Sequence, residues 1–277
     1  MSSRYAVLGS PVAHSKSPML HRAAFAVRGV DATYEPFDVT ENTLAEFLDS
    51  CSDEWRGLSL TMPLKEAIVP FLKDQDEISR VVGAVNTVLF TDSGMRGFNT
   101  DVWGAERAMS EVLGNTIPHT AVLLGAGATA RSCLLALHNL GTRQVTVLVR
   151  DPSRATHLAQ LADRLGVSLE VRSFDDALAL VTDIAVSTLP PTAEIPSQVL
   201  DCIETSHGFD VAYSPWPTAF ASALTDRGAV VGSGLTMLTW QALRQQRIFA
   251  TGNPDTAFVN EPSIVEAMFA SVGIARP

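Results

Sequence analysis

Cysteine is scarce in this 277-residue chain: there are three, Cys51, Cys133 and Cys202, odd in number and far apart. They suggest no disulfide framework and no zinc site, and they fit a reducing cytoplasm. Basic clusters are missing too. The formal charge is −10, which argues against nucleic acid as a partner. Any anion site must then be made locally, by a few placed donors. No apolar run reaches the roughly 18 residues of a membrane-spanning helix, and the start, Met-Ser-Ser-Arg-Tyr, has no signal-peptide architecture. Internal repeats and low-complexity segments are absent. What remains is a globular composition, 46% hydrophobic and 18% charged, long enough for about two domains.

The most organised stretch runs from Thr120 to Arg150. An apolar run over 121–124 ends at Gly125-Ala126-Gly127-Ala128-Thr129-Ala130. A helical pattern follows from Thr129 to about Leu140 and stops at Gly141, and a second apolar, β-branched run covers 145–149. Strand, glycine turn, helix and strand within about 30 residues are the context of a dinucleotide-binding βαβ unit. The first glycine permits the tight turn, and the second lets a pyrophosphate approach the backbone. Ala130 keeps the helix close to the strand. The helix N-terminus supplies N–H groups for the phosphates. At the end of the second strand, an NAD site wants a carboxylate for the ribose hydroxyls. Here Arg150 and Arg154 stand, and two guanidiniums suit a 2′-phosphate, so the cofactor reads as NADP(H). Asp151 follows Arg150 and leaves some use of NAD open.

Taken in order, the chain alternates strands and helices. Strands are expected over 5–9, 33–39 and 55–60. Helices are expected over 17–28, with Ser17 as cap and Pro18 at the first position, and from about 43 to 50. Pro63 starts another helix, 75–82 is a short one, and 84–90 with 95–98 forms a hairpin. A helix opens at Asn99-Thr100-Asp101 and runs to about Leu113. After the glycine unit come helix 152–165, strand 168–172, helix 174–181 and strand 183–186. The turn at Ser187-Thr188-Leu189 follows, then strand 208–211, helix 217–227 and strand 229–231. Gly232-Ser233-Gly234 reads as a hinge-like break before helices over 235–250 and 254–272.

The fold class is α/β: a Rossmann-type doubly wound sheet domain, 101–233, plus a discontinuous α/β domain with a mixed sheet, 1–100 with 234–277. The second domain would bind substrate. Cofactor and substrate are expected in the cleft between the two.

Several residues could carry chemistry. Lys65 falls in the first turn of a helix, where the dipole disfavours an extra positive charge. Asp101 opens a helix, where a carboxylate is stabilised as a cap whether or not it has another task. Ser15 and Ser17 flank a helix N-terminus and could hold a carboxylate. Tyr213 and Gln241 could bind a hydroxyl or carboxylate. His14 and His21 lie seven residues apart with no local carboxylate, poor spacing for a metal, and read as packing or hydrogen-bonding histidines.

Six ordered blocks resemble the shikimate dehydrogenase family over nearly the whole chain. They are Gly9-Ser-Pro-Val-Ala-His14-Ser15-Lys-Ser17-Pro18-Met-Leu-His21, Gly57-Leu-Ser-Leu-Thr61-Met-Pro63-Leu-Lys65, Gly83-Ala-Val-Asn86-Thr87, Gly97-Phe-Asn99-Thr-Asp101-Val-Trp-Gly104, Asp210-Val-Ala-Tyr213-Ser-Pro-Trp-Pro-Thr218 and Gly234-Leu-Thr-Met237-Leu-Thr-Trp-Gln241. The resemblance implies reversible NADPH-dependent reduction of 3-dehydroshikimate to shikimate, a cytoplasmic step towards chorismate and the aromatic amino acids. It implies that Ser15 and Ser17 bind the carboxylate and that Thr61, Lys65, Asn86, Asp101 and Gln241 bind the ring hydroxyls, with Tyr213 nearby. Lys65 and Asp101 become the catalytic pair. Cofactor contacts are expected from Gly125, Ala126, Gly127, Ala128, Thr129, Ala130, Arg150 and Arg154, and at later junctions from Thr188, Leu189 and Gly234. No metal is expected. The partner is a small molecule, with neither nucleic acid nor membrane, and the chain is a monomer or homodimer. Ser59 stands where the family usually has Asn, Arg22 follows His21 where Asn is usual, and Ser17 favours shikimate over quinate. A quinate/shikimate dehydrogenase preferring NAD, or a non-catalytic cofactor-bound sensor, are the alternatives.

Overall fold

A computed structural model of the chain describes residues 3–176 and 178–276. Two compact units emerge: Met1–Thr100 with Leu238–Pro277, and Asp101–Met237.

The first unit opens with β1 (Ser3–Gly9), α1 (Ser17–Arg28), β2 (Ala32–Asp38), α2 (Leu44–Asp49) and β3 (Trp55–Leu60). It continues with α3 (Leu64–Ala67), β4 (Asp74–Gln75), α4 (Glu77–Val82), β5 (Thr87–Thr91) and β6 (Gly94–Phe98). The strands form one mixed sheet in the order β2-β1-β3-β5-β6-β4. Its β2-β1-β3 part is parallel, and β5 runs antiparallel to both β3 and β6. Side chains alternate across β1. Ala6 and Leu8 pack on one face with Leu58, Leu60 and Val88, while Tyr5 and Val7 pack on the other with Phe25, Tyr34 and Phe249. Both faces of β1 are covered, so Tyr5 to Leu8 form an unbroken apolar run.

The second unit begins at α5 (Asp101–Leu113), followed by β7 (Thr120–Leu124), α6 (Ala128–Leu140), β8 (Gln144–Val149), α7 (Thr156–Leu165) and β9 (Ser168–Ser173). Then come β10 (Leu180–Val181), β11 (Ile184–Ser187), α8 (Ser197–Asp201), β12 (Ile203–Glu204), β13 (His207–Asp210), α9 (Ala219–Thr225) and β14 (Val230–Ser233). Six strands build a parallel sheet, β14-β13-β11-β7-β8-β9, and β10 pairs with β12 separately. From β7 the chain winds outward through β8 and β9, and from β11 it winds the other way. The switch point therefore lies between β7 and β11, where a doubly wound sheet binds its ligand beyond the strand ends. The chain then enters α10 (Gly234–Thr251) and α11 (Glu261–Ser271), and α11 packs against α1.

The α/β class and the mixed and parallel sheets match the sequence reading, and most elements fall within a residue or two of it. The exceptions have local causes. The helix expected over 174–181 is a 3₁₀ turn, Phe174–Asp176, followed by β10. Here Ser173 and Asp176 bond to each other, a turn that competes with helix growth. The helix expected from 254 begins only at Glu261. Asn253 accepts from the Asp255 N–H, and Glu261 accepts from the Phe258 N–H, so side chains occupy this backbone in turns. Helix α9 starts at Ala219, not 217, because Thr218 caps it by accepting from Ala221 N–H at 3.1 Å. The hinge-like break at Gly232-Ser233-Gly234 is no loop: β14 runs directly into α10. A Cβ on Gly234 would lie 1.8 Å from the Val211 carbonyl oxygen, so glycine is needed there for backbone packing.

Candidate active site and cofactor turn

Two loops of the first unit meet at the carboxyl ends of β1 and β3. The Ser10 N–H donates to the Met62 carbonyl at 3.0 Å, and Thr61 N–H donates to the Leu8 carbonyl at 2.9 Å. Gly9 makes this approach possible, since a Cβ there would sit 2.3 Å from Thr61 Cγ2 and 2.8 Å from the Met62 oxygen. Ser15 and Ser17 thus share an end of the sheet with Thr61 and Lys65. Ser17 is not the cap of α1 but its first residue. Lys16 holds the cap position, and the Ser15 hydroxyl accepts from Ser17 N–H at 3.3 Å. The Ser17 side chain is buried. Lys65 lies in α3, partly buried, and its carbonyl accepts from Val85 N–H at 2.8 Å.

Asn86, Thr100 and Gln241 form a buried amide–hydroxyl cluster. Asn86 Nδ2 donates to Thr100 Oγ1 at 2.9 Å and to Gln241 Oε1 at 3.1 Å, and Thr100 N–H donates to Asn86 Oδ1 at 2.9 Å. Helix α10 delivers Gln241 to this cluster. One turn further along the same helix, Gln245 and Gln246 are also buried and bind His21 from both sides. His21 stacks on Tyr34 with ring centroids 4.1 Å apart. Full burial holds the His21 pKa down at about 3, so the ring is neutral at physiological pH. Tyr34 donates to Ser59 Oγ at 2.6 Å, and Ser59 donates to Gln245 Oε1 at 3.0 Å. The sequence reading singled out Gln241, His21 and Ser59 but not Tyr34, Gln245 or Gln246. The available signal was the spacing of glutamines, 241 and 245, one helical turn apart on the same helix.

In the second unit, Asp101 is the first residue of α5 and is buried. Tyr213 is half-buried in the loop after β13. Both ends of that loop are held by Asp210, which accepts from Ala212 N–H at 3.0 Å and from the Thr218 hydroxyl at 2.6 Å. Burial pushes the Asp210 carboxyl up, and these two bonds and one from Ser187 oppose the shift.

The glycine turn joins β7 to α6. Gly125 has φ +101°, and a Cβ there would meet Thr188 Oγ1 at 2.6 Å. Thr188, at the end of β11, donates through its hydroxyl to the Leu124 carbonyl at 2.9 Å, so both sides of the switch point are tied together. Leu189 packs beside Gly125. Gly127 is the N-cap of α6 and offers no capping side chain. A Cβ at Gly127 would meet nothing within 4 Å, which leaves room for a ligand against the backbone. At the end of β8, Arg150 and Arg154 are exposed. Asp151 accepts from Ser153 N–H at 3.0 Å and from its hydroxyl at 2.7 Å, bonds that hold its carboxyl below the usual range. The turn, the open helix N-terminus and the two exposed arginines fit a dinucleotide with a 2′-phosphate. Among the described residues, no cluster of side chains could hold a metal ion.

A doubly wound unit with a dinucleotide turn, joined to a mixed-sheet unit that gathers serines, a lysine and buried amides, defines a two-domain nucleotide-cofactor oxidoreductase. Residues 7–88 match the family of the shikimate dehydrogenase substrate binding domain, and residues 107–196 match the shikimate / quinate 5-dehydrogenase family. This chain belongs to the shikimate dehydrogenase family. It is 34% identical to the shikimate dehydrogenase (NADP(+)) of Moorella thermoacetica over 97% of this chain and 94% of the relative. Identity with the protein of the same name from Thermus thermophilus is 36%, covering 93% and 96%. Among solved structures, the fold matches Mycobacterium tuberculosis shikimate dehydrogenase with a TM-score of 0.83 at 34% identity, covering 97% of this chain and 99% of that one. It also matches a Thermus thermophilus shikimate 5-dehydrogenase in complex with NADP(H) and shikimate, with a TM-score of 0.78 at 31% identity and coverage of 97% and 99%.

Proposed function

We propose that this protein is an NADP-dependent shikimate dehydrogenase that interconverts 3-dehydroshikimate and shikimate. The observation that carries this reading is the match along almost the whole chain to relatives of that name, one of them solved with both ligands. Met1–Thr100 with Leu238–Pro277 binds substrate, and Asp101–Met237 binds cofactor. Ser15 and Ser17 bind the substrate carboxylate. Thr61, Asn86 and Gln241 hold the ring hydroxyls, with Tyr213 beside them.

Bound at the glycine turn, NADPH supplies a hydride for the ketone carbon. The residues from Gly125 to Ala130 take the pyrophosphate, Arg150 and Arg154 take the 2′-phosphate, and Thr188, Leu189 and Gly234 shape the rest of the site. Lys65 donates a proton to the ketone oxygen as charge develops there, and Asp101 orients the Lys65 amine. The engagement of Asp151 by Ser153 supports NADP over NAD, since it leaves the arginines to meet the ribose. This reading makes the protein a cytoplasmic enzyme working as a monomer or homodimer. No helix among the described residues is long and apolar enough to cross a membrane.

The test is nicotinamide reduction followed by absorbance, with shikimate and quinate each paired with NADP and NAD. Shikimate with NADP should be the fastest pair. Faster quinate oxidation with NAD would move the assignment to the quinate-using relatives, and no turnover with any pair would end it. Lys65→Ala should lower kcat by at least about 100-fold while changing the shikimate KM far less. Turnover near the wild-type level would remove Lys65 from the mechanism.

A further inference from the structure

We propose that Arg28 and His21 are positioning residues for substrate binding. A one-way chain of hydrogen bonds runs from the Arg28 guanidinium through Gln246, His21, Gln245 and Thr87 to Asn86 and Gln241, and it reinforces the facing of those two amides that the Thr100 N–H also sets by donating to Asn86 Oδ1.

Each link follows from the one before. A guanidinium has only donors, so Arg28 takes the oxygen of Gln246. The Gln246 nitrogen then faces His21 Nδ1 at 2.7 Å and donates to it. With Nδ1 an acceptor, the neutral ring carries its proton on Nε2, which donates to Gln245 Oε1 at 3.0 Å. Ser59 donates to the same oxygen at 3.0 Å, which fixes the amide a second time. The Gln245 nitrogen donates to the Asn86 carbonyl at 3.1 Å and to Thr87 Oγ1 at 2.9 Å. Thr87, now an acceptor, donates its own proton to Asn86 Oδ1 at 2.8 Å. The Asn86 nitrogen faces Gln241 Oε1 at 3.1 Å, and the Gln241 nitrogen is left as the outgoing donor. Leu238 carbonyl takes one of its two N–H groups, at 3.1 Å.

All of these bonds point away from a cation, and Arg28 itself is steadied over the Phe258 ring with its Cζ 4.5 Å from the centroid. In a buried setting, bonds aligned this way polarise one another, so the terminal N–H groups become better donors to an oxygen-rich ligand. The low His21 pKa supports the neutral tautomer that the chain needs. The inference rests on the reading that Asn86 and Gln241 hold the substrate hydroxyls.

The test is a mutant cycle on the full-length protein with steady-state kinetics. Arg28→Met should raise the shikimate KM by about tenfold, leave the NADP KM within about twofold, and lower kcat little. Arg28→Lys should recover most of the loss. In a His21→Phe background, where the chain is already cut, Arg28→Met should add less than about twofold. Effects that multiply in the double variant, or a loss shared equally by both substrates, would overturn the proposal. Nitrogen NMR of the wild-type protein needs no variant to fold. It should show His21 protonated at Nε2, bare at Nδ1, and untitrated from about pH 5 to 9. The opposite tautomer, or titration in that range, would also overturn it. A wild-type protein inactive on shikimate would strike the functional reading and leave the tautomer result standing.

Discussion

At the scale of single residues, Gly9 and His21 carry the sharpest consequences. A methyl group at Gly9 has to displace Thr61 or the Met62 backbone, and both belong to the strand end that carries Thr61 and Lys65. Gly9→Ala should cost about 1–3 kcal/mol in urea unfolding and raise the shikimate KM while sparing the NADP KM. His21 links stability to pH. Its ordinary value of 6.5 is lowered to about 3 in the fold, through burial, which outweighs the opposing Gln245 hydrogen bond, with a smaller push in the same direction from the Arg28 charge. Between those values the unfolded chain binds a proton that the folded chain refuses. Stability is therefore lost as the pH falls from 6.5 towards 3, by at most about 1.4 kcal/mol per unit. His21→Phe lacks this loss. Urea melts at about pH 7 and about pH 5 should show the wild type falling more than the variant. Equal losses would mean that the imidazole is charged, or reaches water, in the folded protein. At this scale the sequence suggests roles where a residue type announces a task, as with the serines, Lys65 and the arginines after β8. Tyr34, Gln245 and Gln246 were not, because a buried amide matters through its partners, and those lie more than 200 residues away from Gln245 and Gln246 in the case of His21.

Among the elements, those bounded by strong punctuation were read to the residue. Helix α1 lies between the Ser17-Pro18 start and Gly29, which takes φ 66°, and β3 runs from Trp55 to Leu60 with turns on either side. The misread stretches are those in which side-chain oxygens bond to nearby backbone N–H groups, and composition alone does not show which N–H a given oxygen will take. Thr218 is such a case, accepting from Ala221 N–H and donating to Asp210. Thr218→Val should lower stability by about 1–2 kcal/mol in urea melts and loosen the loop that carries Tyr213. Helix α11 depends on another pair. Arg247 grips both oxygens of Glu261 at 2.9 and 2.6 Å, with side chains only 12% and 18% exposed. Glu261→Ala should cost about 2 kcal/mol by the same measure. A change under about half that would mean solvent already screens the pair.

For the whole molecule, the sheet order decides where ligands go. Gly125 sits at the switch point of the parallel sheet with a left-handed φ and Thr188 close above it. Gly125→Ala should weaken NADPH binding at least tenfold by fluorescence titration while shikimate still protects the protein against heat. The two-unit plan was readable from the dinucleotide motif. Its later boundary was not, because β14 passes into α10 with no loop to mark the change.

The path of the chain bears on its birth at the ribosome. His21, Ser59, Asn86 and Thr87 are translated early, yet Gln241, Gln245 and Gln246 emerge only after all of residues 101–237. Until then those polar groups lack the glutamines that bury them, a deficit of several kcal/mol. The half made first is the half completed last, against the usual N-to-C order of domain folding. A nascent chain stalled with residue 237 just clear of the ribosomal exit tunnel should resist protease over 101–237 and be cut within 3–100.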